Sequence, residues 1–139
     1  MSALGDPRDL AARLEALTSP VRLVLFTQTF GCDTCFEARR TADEIARLSD
    51  RIRVEEHNLV LDAERVAEFG AARAPALAIV GEQDFGLRYY GVPAGYELDS
   101  VVSAIEIAGG AAPALSDESV AALGALDRRV DIQVFVTPT

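Results

Sequence analysis

Cysteine and histidine are scarce in this chain of 139 residues, which holds two cysteines and one histidine. That scarcity excludes a disulfide-stapled scaffold, which needs several bridges. It also excludes a closed zinc site within one chain, because such a site takes four ligands and only His57 remains beside the two thiols. A zinc site shared by two chains stays open. Lysine is absent, all 13 basic residues being arginine; genome composition and a thermostability bias both account for this. Positive charge is also in deficit, with a net charge of −9, which argues against nucleic acid or an anionic membrane as partner. No apolar run approaches the roughly 20 residues that span a bilayer. The opening Met1-Ser2-Ala3-Leu4-Gly5-Asp6-Pro7 lacks the basic region and apolar run of a signal peptide. The expected location is therefore the cytoplasm, where a thiol pair is catalytic or metal-binding more often than a staple. No nucleotide or flavin fingerprint is visible either.

What the chain does have is ordinary bulk and one unusual stretch. Hydrophobic residues make up 50% and charged residues 25%, enough for one core with room for a partial second unit. The two cysteines lie three apart in Thr29-Phe30-Gly31-Cys32-Asp33-Thr34-Cys35. Chance placement would give that spacing about one time in seventy. The stretch sits between the apolar run Val21 to Thr27, which reads as a strand covered on both faces, and a helical pattern through Ala38, Ala42, Ile45 and Leu48. A Cys-x-x-Cys at a strand-to-helix turn points to dithiol–disulfide chemistry.

The rest of the chain alternates helix and strand. Asp6-Pro7 opens a first helix through Leu10, Leu14 and Leu17, stopped at Ser19-Pro20. The helix after the cysteines carries Arg39–Asp43, Arg40–Glu44 and Asp43–Arg47 pairs on its outer face. Ile52 to Leu59 reads as a parallel edge strand, and Asp62 to Gly70 as a short capped helix. Ala76 to Val80 is a buried strand, and Phe85 to Tyr90 returns antiparallel after a turn at 81–84. Asp99 is expected to cap a last helix ended by Gly109-Gly110. This order gives one α/β domain over residues 1–110.

Residues 111–139 read as a linker, a helix capped by Ser116, and a strand over 130–136. Val134-Phe135-Val136 parallels Leu25-Phe26-Thr27, each preceded by an alanine-rich helix, as if a second repeat begins and is truncated. Such a strand would have lost its neighbours and is expected to pair with the first domain's sheet or with a second molecule, giving a homodimer.

Three features resemble the thioredoxin superfamily, and more narrowly the N-terminal unit of two-unit protein disulfide oxidoreductases, the glutaredoxin-like proteins. They are Phe26 followed by Cys32 and Cys35; Ala74-Pro75 leading into a strand; and Tyr90-Gly91-Val92-Pro93-Ala94-Gly95-Tyr96-Glu97. The resemblance implies a thioredoxin/glutaredoxin-like fold with a central four-stranded mixed sheet flanked by helices. It also implies thiol–disulfide exchange with protein substrates, no bound cofactor, and a redox donor such as a thioredoxin-reductase-type flavoprotein. The pair reads Cys-Asp-Thr-Cys, without the proline or aromatic common in relatives, and the Thr-Val-Pro loop by which glutaredoxins hold glutathione is missing.

In that frame Cys32, at the N-cap of its helix, is the attacking thiolate, and Cys35, more buried, resolves the mixed disulfide. Asp33 and Glu37 oppose ionisation of Cys32. The resemblance implies a cis bond before Pro75, which leaves the backbone of Ala74 open to pair with an extended substrate. Arg73 is a candidate neighbour of the thiolate, against a solvated arginine. Phe30, with Tyr89, Tyr90 and Tyr96, is a candidate apolar rim, against ordinary packing. His57 is expected on the surface of the edge strand. Phe26 takes the position of the buried aspartate that helps deprotonate the second cysteine in thioredoxins, so another base or water must serve. Two alternatives stand beside the enzyme reading. The chain is a docking repeat whose partner repeat carries the activity, or the N-terminal domain of a peroxide-reducing flavoprotein that serves a peroxiredoxin.

Overall fold

The run Val21–Thr27 forms the central strand, β1, and its apolar continuity follows from having a neighbour on each side and a helical layer on each face. The computed structural model describes residues 6–137, so the expectations for residues 1–5 and for 138–139 lie outside the described residues. Strand β2 (Ile52–Asn58) pairs parallel to β1, with Val21 opposite Ile52 and Thr27 opposite Asn58. Strand β3 (Ala76–Val80) pairs antiparallel on the other side, with Phe26 opposite Ala76, and β4 (Leu87–Tyr90) continues antiparallel from it. The sheet order is β2-β1-β3-β4, a mixed sheet with β2 at one edge as expected.

Because side chains alternate along β1, the strand feeds two cores. Leu23 and Leu25 face helices α1 (Pro7–Glu15), α2 (Cys35–Ala46) and α4 (Glu97–Ala108), whose Leu14, Ile45, Val102 and Ile105 are sealed from solvent. Val24 and Phe26 face the short helix α3 (Ala63–Phe69) through Phe69. Helix α1 begins as its sequence predicts: the Asp6 side chain accepts from Arg8 N at 2.9 Å and Pro7 opens the first turn. Its Arg13 reaches across to α4, pairing with Asp99 at 2.7 Å and Glu106 at 2.8 Å. Glu106 first, then Asp99, holds the Arg13 guanidinium well above its ordinary pKa.

In the turn before β4, Asp84 accepts from Gly86 N at 2.9 Å and from both terminal nitrogens of Arg88 at 2.9 and 2.6 Å. Hydrogen bonding from Arg88 is the main cause that lowers the Asp84 pKa below its ordinary 3.8. A lowered folded-state pKa stabilises the fold above that ordinary value, and the contribution disappears as pH falls through the folded value. Asp84→Asn is therefore expected to destabilise the protein by about 1 kcal/mol at neutral pH, a figure already discounted for partial exposure. Urea melts should show the two proteins converging once the pH drops below 3.8, and a constant difference at all pH values would contradict the assignment.

Several boundaries differ from expectation. Helix α1 ends at Glu15, before Ser19-Pro20, and Leu17 is buried from the connection that follows. Helix α4 starts at Glu97, so Asp99 lies within the first turn, where it serves Arg13 instead of capping. Arg39–Asp43 and Arg40–Glu44 form, at 2.9 and 3.6 Å, whereas Asp43 gives its carboxylate to Arg39 and no Asp43–Arg47 ion pair is found among the described residues. Helix α5 (Asp117–Gly124) forms with Ser116 accepting from Ser119 N at 3.1 Å. The expected strand over 130–136 is not formed, and the segment does not join the four-stranded sheet. A strand exists only through its ladder, and here Ile132, Val134 and Phe135 stand 80% or more exposed and pair with no strand among the described residues.

Candidate functional site

Strand β1 delivers the chain to the candidate site at Thr27, and the next residues turn back toward α2. Gly31 takes a left-handed backbone (φ 73°) in that turn, a conformation that favours glycine. Cys32 and Cys35 are joined by a disulfide with their Cα atoms 5.6 Å apart. Cys35 is the first residue of α2 and is 6% exposed; Cys32 is partly exposed. The N-cap is Thr34, whose carbonyl accepts from Ala38 N at 2.9 Å, and not Cys32 as the sequence predicts. The turn begun at Gly31 delays the first helical bond, so Cys32 lies just outside the helix end.

An open groove of about 350 Å³ runs beside Cys35, lined by Thr27, Phe36, Arg39 and Glu56 among others. Register explains its composition: Glu56 stands opposite Leu25 on β2, and Arg39 lies one helical turn beyond Cys35 on α2. The Glu56 carboxylate accepts from the Thr27 hydroxyl at 2.7 Å and pairs with Arg39. Arg39 also holds Asp43, whose hydrogen bond is the largest cause raising the Arg39 pKa; burial works against it. A separate hollow of about 290 Å³ beside Glu15 and Arg47 contains neither cysteine. Among the described residues no cluster of His, Cys, Asp and Glu is placed to hold a metal ion.

The Ala74–Pro75 bond is cis, as the resemblance implies. Pro75 immediately precedes β3, whose Ala76 lies opposite Phe26, so the proline and the cysteine turn share one end of the sheet. Its carbonyl accepts from Gly91 N at 3.1 Å, which fixes it to the end of β4. Arg73 is exposed, with its guanidinium 4.2 Å above the Tyr90 ring. The expected aromatic rim is divided: Phe30 and Tyr96 are more than 80% exposed, while Tyr89 and Tyr90 are half-buried. Their hydroxyls are occupied, Tyr89 donating to Val92 O and Tyr90 accepting from Ala72 N, each at 3.1 Å. Phe36, 80% exposed on the first turn of α2, belongs to the groove and is absent from the residues that the sequence singles out. Its polar surroundings and its place off the i, i+4 apolar face are the signal that could have found it.

His57 also departs from expectation. It is partly covered, packs 5.7 Å from the Phe26 ring, and has a buried Nε2 with no hydrogen-bond partner among the described residues. Facing Phe26 across β1–β2 shields it more than an edge position suggests. Phe26 is itself sealed, 6.0 Å from Phe69, so an aromatic cluster occupies the space beneath that strand.

No protein-family model and no curated protein sequence matches the chain. Solved structures do. A protein disulfide oxidoreductase from Aeropyrum pernix superposes with a TM-score of 0.78 at 25% identity, over 88% of this chain and 54% of its own. The chain carries a thioredoxin-like fold. The alkylhydroperoxide reductase AhpF from Enterococcus faecalis superposes at 0.74 with 21% identity, over 86% of this chain and 58% of its own. A thioredoxin from Halobacterium salinarum matches at 0.54 with 19% identity, over 72% of this chain and 86% of its own. The chain thus spans little more than half the length of the first two. In thioredoxin-like terms, the disulfide sits past the end of the central strand and the cis-proline loop lies at the same end of the sheet. Among the described residues no helix is long and apolar enough to cross a membrane.

Proposed function

We propose that this chain is a thiol–disulfide oxidoreductase acting on protein disulfides. The observation that carries the reading is a disulfide beyond the end of the central strand, with Cys32 partly exposed and Cys35 buried against a groove that it lines. In the reduced protein the Cys32 thiolate attacks a substrate disulfide and forms a mixed disulfide, releasing one substrate thiolate. Cys35 then attacks Cys32 Sγ, restoring the Cys32–Cys35 bond and releasing the second substrate sulfur as thiolate. Two electrons pass from the dithiol to the substrate, and no bound cofactor is needed. The backbone of Ala74, before the cis bond to Pro75, would pair with an extended substrate segment, and the exposed Phe30 and Arg73 would contact its side chains. A flavoprotein of the thioredoxin-reductase type would return the electrons, and the setting would be the cytoplasm. Residues 1–110 would form the working unit, with 111–139 the start of a second repeat.

Reduction of insulin disulfides by the intact chain with dithiothreitol tests this, with turbidity as readout. Turnover clearly above dithiothreitol alone is expected. No turnover would instead favour a docking repeat, the second reading, for which the unpaired apolar segment of Ile132, Val134 and Phe135 speaks.

A further inference from the structure

When Cys35 resolves the mixed disulfide it must lose a proton, and nothing acidic lies beneath it on β1, where Phe26 packs against Phe69 on the other face of the sheet. We propose that Glu56 accepts the Cys35 thiol proton across the groove that the two residues line. The proposal rests on the oxidoreductase reading and deepens it. Glu56 lies on the α2 side of the sheet, fixed at Oε1 by the Thr27 hydroxyl at 2.7 Å and at Oε2 by Arg39. Arg39 is one turn from Cys35 on the same helical face, so the carboxylate that it holds lines the same groove as Cys35. Each carboxylate oxygen accepts more than one hydrogen bond, so both anchors leave capacity for a proton or a water. The groove, at about 350 Å³, admits bridging water.

The Cys35 Sγ–H proton passes to Glu56 through groove water while Cys35 Sγ bonds to Cys32 Sγ. The Cys32–substrate S–S bond breaks, and its electron pair leaves on the substrate sulfur. Glu56 then returns the proton to that thiolate or to solvent. The charged groups facing this path are Arg39 and Glu56, which line the groove; Asp43 bonds Arg39 from α2, and Asp33 and Glu37 flank the cysteines in sequence. From β1 only the neutral Thr27 reaches the carboxylate.

The test isolates the resolving step. The reduced, full-length chain is reacted with a thionitrobenzoate disulfide, and release of coloured thionitrobenzoate from Cys32 is followed by stopped flow from about pH 5 to about pH 9. Glu56→Gln is expected to slow release about 10- to 100-fold near neutral pH. The gap should close toward the upper limit, where the thiol ionises unaided, and Glu56→Asp should recover part of the rate. Both variants should still capture the probe on Cys32, and a wild-type circular-dichroism spectrum would show that they are folded. Release from Glu56→Gln at the wild-type rate throughout overturns the proposal, as does a slowing by one constant factor at every pH. Wild-type protein that captures the probe and never releases it overturns the oxidoreductase reading as well, and so separates the two failures.

Discussion

Cys32→Ser is expected to abolish insulin-disulfide reduction, and Cys35→Ser to yield a protein that captures a disulfide and keeps it. Serine oxygen at position 32 is a far poorer nucleophile toward sulfur than a thiolate, so no mixed disulfide forms and turnover falls about a thousandfold or more. Position 35 acts later. With serine there, the partly exposed Cys32 still attacks, yet no second sulfur stands ready to displace the substrate. Intact-mass spectrometry should then show a stable adduct on Cys35→Ser and none on Cys32→Ser. Adducts on Cys35 in the Cys32→Ser protein would reverse the two roles, and its 6% exposure is the reason to expect none.

The second large effect is structural. Phe26→Ala should destabilise the fold by about 3–5 kcal/mol, because the ring is sealed and its removal leaves a cavity that the sheet cannot close. Phe26 joins β1 to α3 through Phe69 and covers His57, and the cluster around it holds only Val24, Ala76, Ala78 and Val80 as further buried members. Small residues on β3 cannot swing into the gap. Since a domain of this size is stable by roughly 5–15 kcal/mol, the variant should unfold in much less urea. A midpoint close to that of the wild type would show that the second core contributes little.

Legibility in the sequence follows how local each determinant is. Strands β1 and β3 are readable to the residue, since a strand buried on both faces writes an almost wholly apolar run, Val21–Thr27 and Ala76–Val80. The Asp6 and Ser116 caps are readable because capping acts within three residues. Helix starts at Cys35 and Glu97 are not, because Thr34 and Tyr96 cap without any side-chain hydrogen bond and leave no mark in composition. The strand expected at 130–136 fails for the opposite reason: its pattern is present but the ladder that makes a strand is not. The cysteine pair and the proline are visible as motifs. The groove is not, since Thr27, Arg39 and Glu56 meet only through sheet register and helix placement.

Strand β1 bears on how the sulfur chemistry is mounted. It is gripped by β2 and β3 along its length and by helices above and below, while the disulfide hangs from the loop just beyond it. Any rearrangement that accompanies gain or loss of electrons is expected within that short tether between β1 and α2. The scaffold is expected to act as an anvil, holding the same face in the oxidised and the reduced protein.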